Sequence, residues 1–151
     1  MINVVAWGIA GVLIILTVSI HYETMLMVSD RVLPWAQKRF HGRRTIAIAI
    51  FALMLGHIAE IWLFGLSYLV LQFMPGFGTI GGQFDGTLNS YLYFSAVNYT
   101  SLADNQIHPI GPLRNIAASE TLDGMMMIAW SASFTYLKME QIWKMHRRAS
   151  D

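Results

Sequence analysis

Two long apolar runs constrain this chain more than any other feature in it. The first, NVVAWGIAGVLIILTVSIHYETMLM, opens at Asn3; the second, TIAIAIFALMLGHIAEIWLFGLSYLVLQF, runs from Thr45 to Phe73. About 20 apolar residues rising about 1.5 Å each cross the hydrocarbon core of a bilayer, and both runs are long enough. The second exceeds the core thickness, so tilt or extension beyond the bilayer is expected. With 55% hydrophobic and only 13% charged residues, the composition falls outside the usual soluble range. The expected fold is an all-α membrane protein with one membrane domain over residues 1–151.

The runs divide the chain into a first span over 3–28, a basic connector over 29–44 and a second span over 45–73. Pro34 in the connector is expected to break any helix leaving the first span. Trp35 and Phe40 suit the headgroup level. Residues 74–89 carry Pro75 and five glycines but no Lys or Arg, and read as a turn-rich loop. Gly111 and Pro112 introduce a third span over 112–138, followed by a helix-compatible tail over 139–151. Pro112 suits the first turn of a helix, where its missing N–H costs little. No basic segment precedes the first run and no cleavage site ends it, so a cleaved signal peptide is not expected.

Basic residues orient the spans. Arg31, Lys38, Arg39, Arg43 and Arg44 lie in the first connector, Lys138, Lys144, Arg147 and Arg148 at the C-terminal end, and Arg114 alone on the other side. The positive-inside rule puts the connector and the tail in the cytoplasm, and the N-terminus outside. A net charge of +1 gives no reason to expect a nucleic-acid partner, and the absence of cysteine excludes thiolate metal sites and a cysteine nucleophile. The ten methionines read as packing or lipid-facing residues rather than a copper site.

Between the second and third spans lies residues 90–109, with YLYFSAVNYTSLADNQIHP closing on Pro109. Its first half is amphipathic and aromatic, and its second half is a polar turn. Irregular polar backbone is tolerated at membrane depth only where protein buries it or where it lines a water-filled cavity. A short helix followed by such a turn is the layout of a re-entrant pore loop.

YFSAVNYTSLADNQIHPIGPLR resembles the pore loop of bacterial potassium-channel-like proteins with the two-helix pore module. There a pore helix leads into T-x-G-Y-G-D, with a proline a few residues later. The likeness covers about residues 86–138, and GHIAEIW in the second span is similar to the outer helix of a three-span branch. The resemblance implies a pore helix, a filter-like loop at Thr100, Ser101, Leu102, Ala103, Asp104, Asn105 and Gln106, and an inner helix. It also implies a homotetramer in a bacterial inner membrane that passes inorganic cations, with no enzymatic activity.

The filter core departs from that pattern. Ala103 stands where the first glycine belongs, Asp104 at the tyrosine, Asn105 at the second glycine and Gln106 at the aspartate. A potassium filter replaces the ion's hydration shell with backbone carbonyls. Its glycines reach left-handed backbone angles, which Asn tolerates but which would strain Ala103 by roughly 1–2 kcal/mol. Conventional K⁺ selectivity is therefore not expected. Two readings of Asp104 stand. Around a fourfold axis it makes a ring of carboxylates that favours cations; alternatively it caps the loop by accepting from nearby backbone N–H groups.

Ionisable residues also fall inside the spans. His57 and Glu60, three residues apart, share a helical face, and Glu120 and Asp123 lie at similar depth on the third span. Charges at mid-membrane face protein or water and are usually paired. These four residues are either a site for a hard or borderline divalent metal or a hydrogen-bonded network tying outer helix to inner helix. Asp123, beside Gly124, could instead face a cavity at an inner-helix bend. His21 and Glu23 could extend a metal site or anchor the first span at the interface. His108 is a loop residue or an external pH sensor. Ser131 and Ser133 read as small residues permitting close helix approach. No cofactor is expected. Beside the channel, two other functions stay open: a membrane metal-binding or redox protein, and a non-conducting scaffold of channel descent.

Overall fold

The structure, a computed structural model, describes residues 1–40, 42–102 and 106–148. Helix α1, Ile2–Met27, buries a single stripe of Ala6, Ala10, Leu13, Thr17, His21 and Met25. Its other faces expose Val4, Val5, Val12, Ile15 and Leu16. Helix α3, Arg43–Leu71, is built the same way, burying Ala49, Leu53, Gly56, Glu60, Phe64 and Tyr68 while Phe51, Met54, Leu55 and Val70 point outward. Apolar side chains on the outside of a helix suit hydrocarbon rather than water. Among the described residues, two helices are long and apolar enough to cross a membrane: Ile2–Arg39 and Arg43–Leu71.

Pro34 does not end the first helix. The chain passes through a π-helical turn, Val28–Val32, into α2, Leu33–Arg39, with Pro34 in the first turn of α2. A π turn widens the hydrogen-bond ladder by one residue, and a proline in a first turn forgoes a bond that would be open anyway. The break expected at proline is thereby displaced to Phe40, whose extended backbone ends α2. Gly42, at φ 61°, turns the chain into α3.

The loop after α3 contains a strand that periodicity alone did not reveal. β1, Thr79–Gly82, pairs antiparallel with β2, Ile107–Ile110, with Thr79 opposite Ile110 and Gly82 opposite Ile107. The described residues are thus mostly helical with one small two-stranded sheet. Gly82 has φ 91°, and a Cβ there would lie 1.8 Å from the Gln106 carbonyl oxygen, so only glycine fits. Gln83 N–H donates to that carbonyl at 2.9 Å, sealing the base of the excursion between the strands.

That excursion holds α4, Leu88–Tyr99. Thr87 at its N-cap accepts from Ser90 N–H at 3.3 Å, and Asp85 accepts from Thr87 N–H at 3.0 Å and from the Ser90 hydroxyl. The Ser90 hydroxyl, followed by the Thr87 bonds, holds the Asp85 carboxyl below its ordinary range. Helix α4 packs between α3 and α5, Leu113–Arg148, while α1 lies against both long helices. The third long helix therefore runs without interruption through the segment read as inner helix and on through the described part of the tail.

Packing is layered along the bundle. One apolar cluster gathers Ala6, Leu13, Phe64, Tyr68, Phe94 and Ile116 near the sheet. A second gathers Met25, Val28, Leu33, Leu53 and Ile142 at the opposite end. Between them on α1, α3 and α5 lie buried Thr17, His21, Glu60, Asp123 and Ser131.

Candidate functional site: a buried polar layer under the short helix

The polar layer consists of three hydrogen-bonded groups. In the largest, His21 Nδ1 lies 2.9 Å from Glu60 Oε1, and the Tyr99 hydroxyl donates to Glu60 Oε2. His57 Nδ1 sits 2.8 Å from the Tyr99 hydroxyl and 3.4 Å from Glu60 Oε2. Ser131 Oγ closes the ring, 3.1 Å from His57 Nε2 and 3.2 Å from His21 Nε2. His21 and Glu60 are fully buried, whereas the His57 side chain is 18% exposed and forms the open side of the ring. The Trp130 ring covers His21, with centroids 5.5 Å apart.

The contacts of this ring are Glu60–His21, His21–Ser131, Ser131–His57, His57–Tyr99 and Tyr99–Glu60, and each requires one hydrogen. With Glu60 ionised, Tyr99, Ser131 and two neutral imidazoles supply one hydrogen each. One contact is then left without a proton. The Ser131 hydroxyl has a single hydrogen and faces two Nε2 atoms, so one further proton completes the ring.

The second group centres on Glu120, which accepts from the Tyr68 hydroxyl at 2.6 Å and from the Ser95 hydroxyl. Ser95 also lies 2.8 Å from the Ile61 carbonyl oxygen. In the third, Thr17 donates to Asp123 Oδ2 at 2.6 Å. His57, Glu60, Glu120 and Asp123 therefore do not share one ligand set. His57 and Glu60 meet as their spacing indicates, while Glu120 and Asp123 bond to other partners on α1, α3 and α4.

His21, Tyr99 and Ser131 needed more than spacing to find. His21 approaches Glu60 across 39 positions, and Ser131 approaches His21 across 110. The available signal for His21 is its place on the small-residue stripe of α1, four positions after Thr17. Ser131 is buried and bonded to both imidazoles, whereas Ser133 is exposed and donates to the Ala129 carbonyl. Glu23 is exposed, at the end of α1 beside Asp30 and Arg31, away from the ring. His108 stands in β2 opposite Gly81.

At the filter-like loop, Thr100 caps α4 and its hydroxyl lies 2.7 Å from the Ala96 carbonyl. Ser101 takes a left-handed φ of 54°, and Leu102 is exposed. Ala103, Asp104 and Asn105 lie outside the described residues, and Gln106 leads into β2. Asp123 is buried, and Gly124 meets the end of α4 so closely that a Cβ there would lie 2.1 Å from the Tyr99 carbonyl oxygen. In this fold Gly124 is thus a point of close helix approach. Comparison with protein-family models, curated proteins and solved structures finds no match.

Proposed function

We propose that this chain is the pore-forming subunit of a potassium-channel-like cation channel with a non-standard filter, assembled as a homotetramer in a bacterial inner membrane. The observation that carries this reading is the sealed excursion between β1 and β2. Its helix α4 has 12 residues, about 18 Å long and too short to cross a bilayer of about 30 Å. The chain returns to its starting level, since Gln83 bonds to Gln106. Tyr99 at the end of α4 meets Glu60 and Gly124. Each of those lies 11 residues from the sheet-side end of its own helix, Leu71 or Leu113, or about 17 Å down. A helix ending at mid-depth points its C-terminal carbonyls, the negative end of its dipole, at whatever occupies the loop beyond.

In this reading α1, α3 and α5 are the three spans, α4 is the pore helix, and residues 100–106 line the path. Four copies of Asp104 form a carboxylate ring that favours cations over anions, and Thr100 and Ser101 add hard oxygen donors. The basic residues near α2 and the C-terminal end of α5 face the cytoplasm, with the N-terminus and the sheet outside. The ring around Glu60 positions the pore helix from behind. A second reading, a membrane metal-binding or redox protein, is favoured by the convergence of His21, His57 and Glu60.

Because the chain lacks cysteine, single cysteines report its layout without background. Leu102→Cys should react with a membrane-impermeant maleimide from the same side as Gln83→Cys and opposite to Gln141→Cys. Asp104→Cys should cross-link into dimers on mild oxidation. Labelling of Leu102→Cys from the Gln141 side, or an Asp104→Cys protein that stays monomeric, would contradict a re-entrant loop around a shared axis.

A further inference from the structure

We infer that His21, His57 and Glu60, with Tyr99 beside them, form a binding site for one borderline divalent transition-metal cation of the Zn²⁺ class. The inference is independent of whether the pore conducts. It differs from the four-residue set read from the sequence: His21 joins it, and Glu120 and Asp123 leave it.

The geometry carries the assignment. One ligand atom from each of the three residues lies within 4.8 Å of the other two. Both Nδ1 atoms converge on Glu60, at 2.9 Å from Oε1 for His21 and 3.4 Å from Oε2 for His57. A cation bonded to nitrogen and oxygen at 2.0–2.2 Å, with angles between octahedral and tetrahedral, spaces its ligand atoms about 2.8–3.5 Å apart. Both separations fall in that range; the triad as a whole, 4.8 Å at its widest, is looser, so binding draws the three side chains together. Two imidazoles and a carboxylate suit borderline first-row divalent cations.

The outer partners fit as well. A metal-bound histidine usually donates its second ring N–H to a fixed acceptor, which sets its tautomer. Here one oxygen, Ser131 Oγ, stands within 3.2 Å of both Nε2 atoms. With the cation on the two Nδ1 atoms, both Nε2–H groups donate to the two lone pairs of Ser131, and its own hydrogen is free to turn to its helix. The proton shortage around Ser131 disappears, and the divalent cation beside the buried Glu60 carboxylate leaves the group with one net positive charge. Access is through His57, the partly exposed member.

The test uses the tag-free full chain in detergent, stripped with chelator and titrated with Co²⁺ as a spectroscopic probe. One Co²⁺ per chain should bind with a visible d–d spectrum of nitrogen and oxygen ligation, and Zn²⁺ should abolish that spectrum. His21→Gln and Glu60→Gln should remove the spectrum, and Ser131→Ala should weaken binding about 10–100-fold. Glu120→Gln, in the neighbouring group, should leave it unchanged. Folded wild-type protein that binds no Co²⁺ or Zn²⁺ overturns the assignment without recourse to variants. So does a spectrum that survives in folded His21→Gln protein.

Discussion

Gly124→Ala should cost about 3 kcal/mol of stability, at the upper end for overpacking a tight interior. The added Cβ would lie 2.1 Å from the Tyr99 carbonyl oxygen and 2.9 Å from the Tyr99 ring. The first of those is backbone at the end of α4, which cannot swing away as a side-chain tip can. Either α5 moves off α4 or the last turn of α4 unwinds. Gly8→Ala on α1 is the matched control, since nothing lies within 4 Å of its added Cβ. That change should leave stability level or raise it by up to about 1 kcal/mol through helix propensity. Thermal melting of the two variants in detergent decides the matter, and equal melting temperatures would refute the close approach of α5 to Tyr99.

Glu60→Ala should be comparably severe, costing about 3–5 kcal/mol, the usual penalty for removing one partner from a buried charged network. Glu60 is fully buried and receives both His21 and the Tyr99 hydroxyl. Its loss leaves those two groups without an acceptor, and each unsatisfied buried polar group costs about 1–3 kcal/mol. Glu60→Gln keeps the shape and one acceptor oxygen, so it should cost less. The decisive form is a double-mutant cycle with His21→Phe. Residues sharing a network typically couple by about 0.5–3 kcal/mol, so the double variant should lose less than the sum of the single losses. Strict additivity would mean that His21 and Glu60 do not form the pair described.

Both substitutions act through the same residue. Tyr99 is the last residue of α4; its hydroxyl is held by Glu60 and its carbonyl lies against Gly124. The end of the short helix, and with it the start of the loop beyond, is therefore fixed from α3 and from α5. This links the buried layer to the proposed pore: what the ring holds in place is the base of the filter-like segment.

Much of this arrangement follows from local chemistry. The two apolar runs, the close of the short helix near Thr100 and the facing of His57 and Glu60 all come from run length, turn residues and helical spacing. Three features do not. The β1–β2 ladder joins four-residue strands containing two glycines and a proline, which carry no alternation to read. The π turn lets the first helix continue past Pro34, a compensation set by how the backbone settles around the ring. The polar layer is divided among helices distant in sequence, so spacing could pair His57 with Glu60 but could not assign Glu120 to Tyr68 or Asp123 to Thr17. His21 lay within reach, since a histidine on a stripe of small residues must face protein rather than lipid.

Cation flux through purified protein in liposomes, compared for K⁺, Na⁺ and Ca²⁺ in wild type and Asp104→Asn, reads the proposed pore itself. The wild type should pass cations, and Asp104→Asn should reduce the flux or change the order of the cations. A folded oligomer that passes none of the three would contradict the pore.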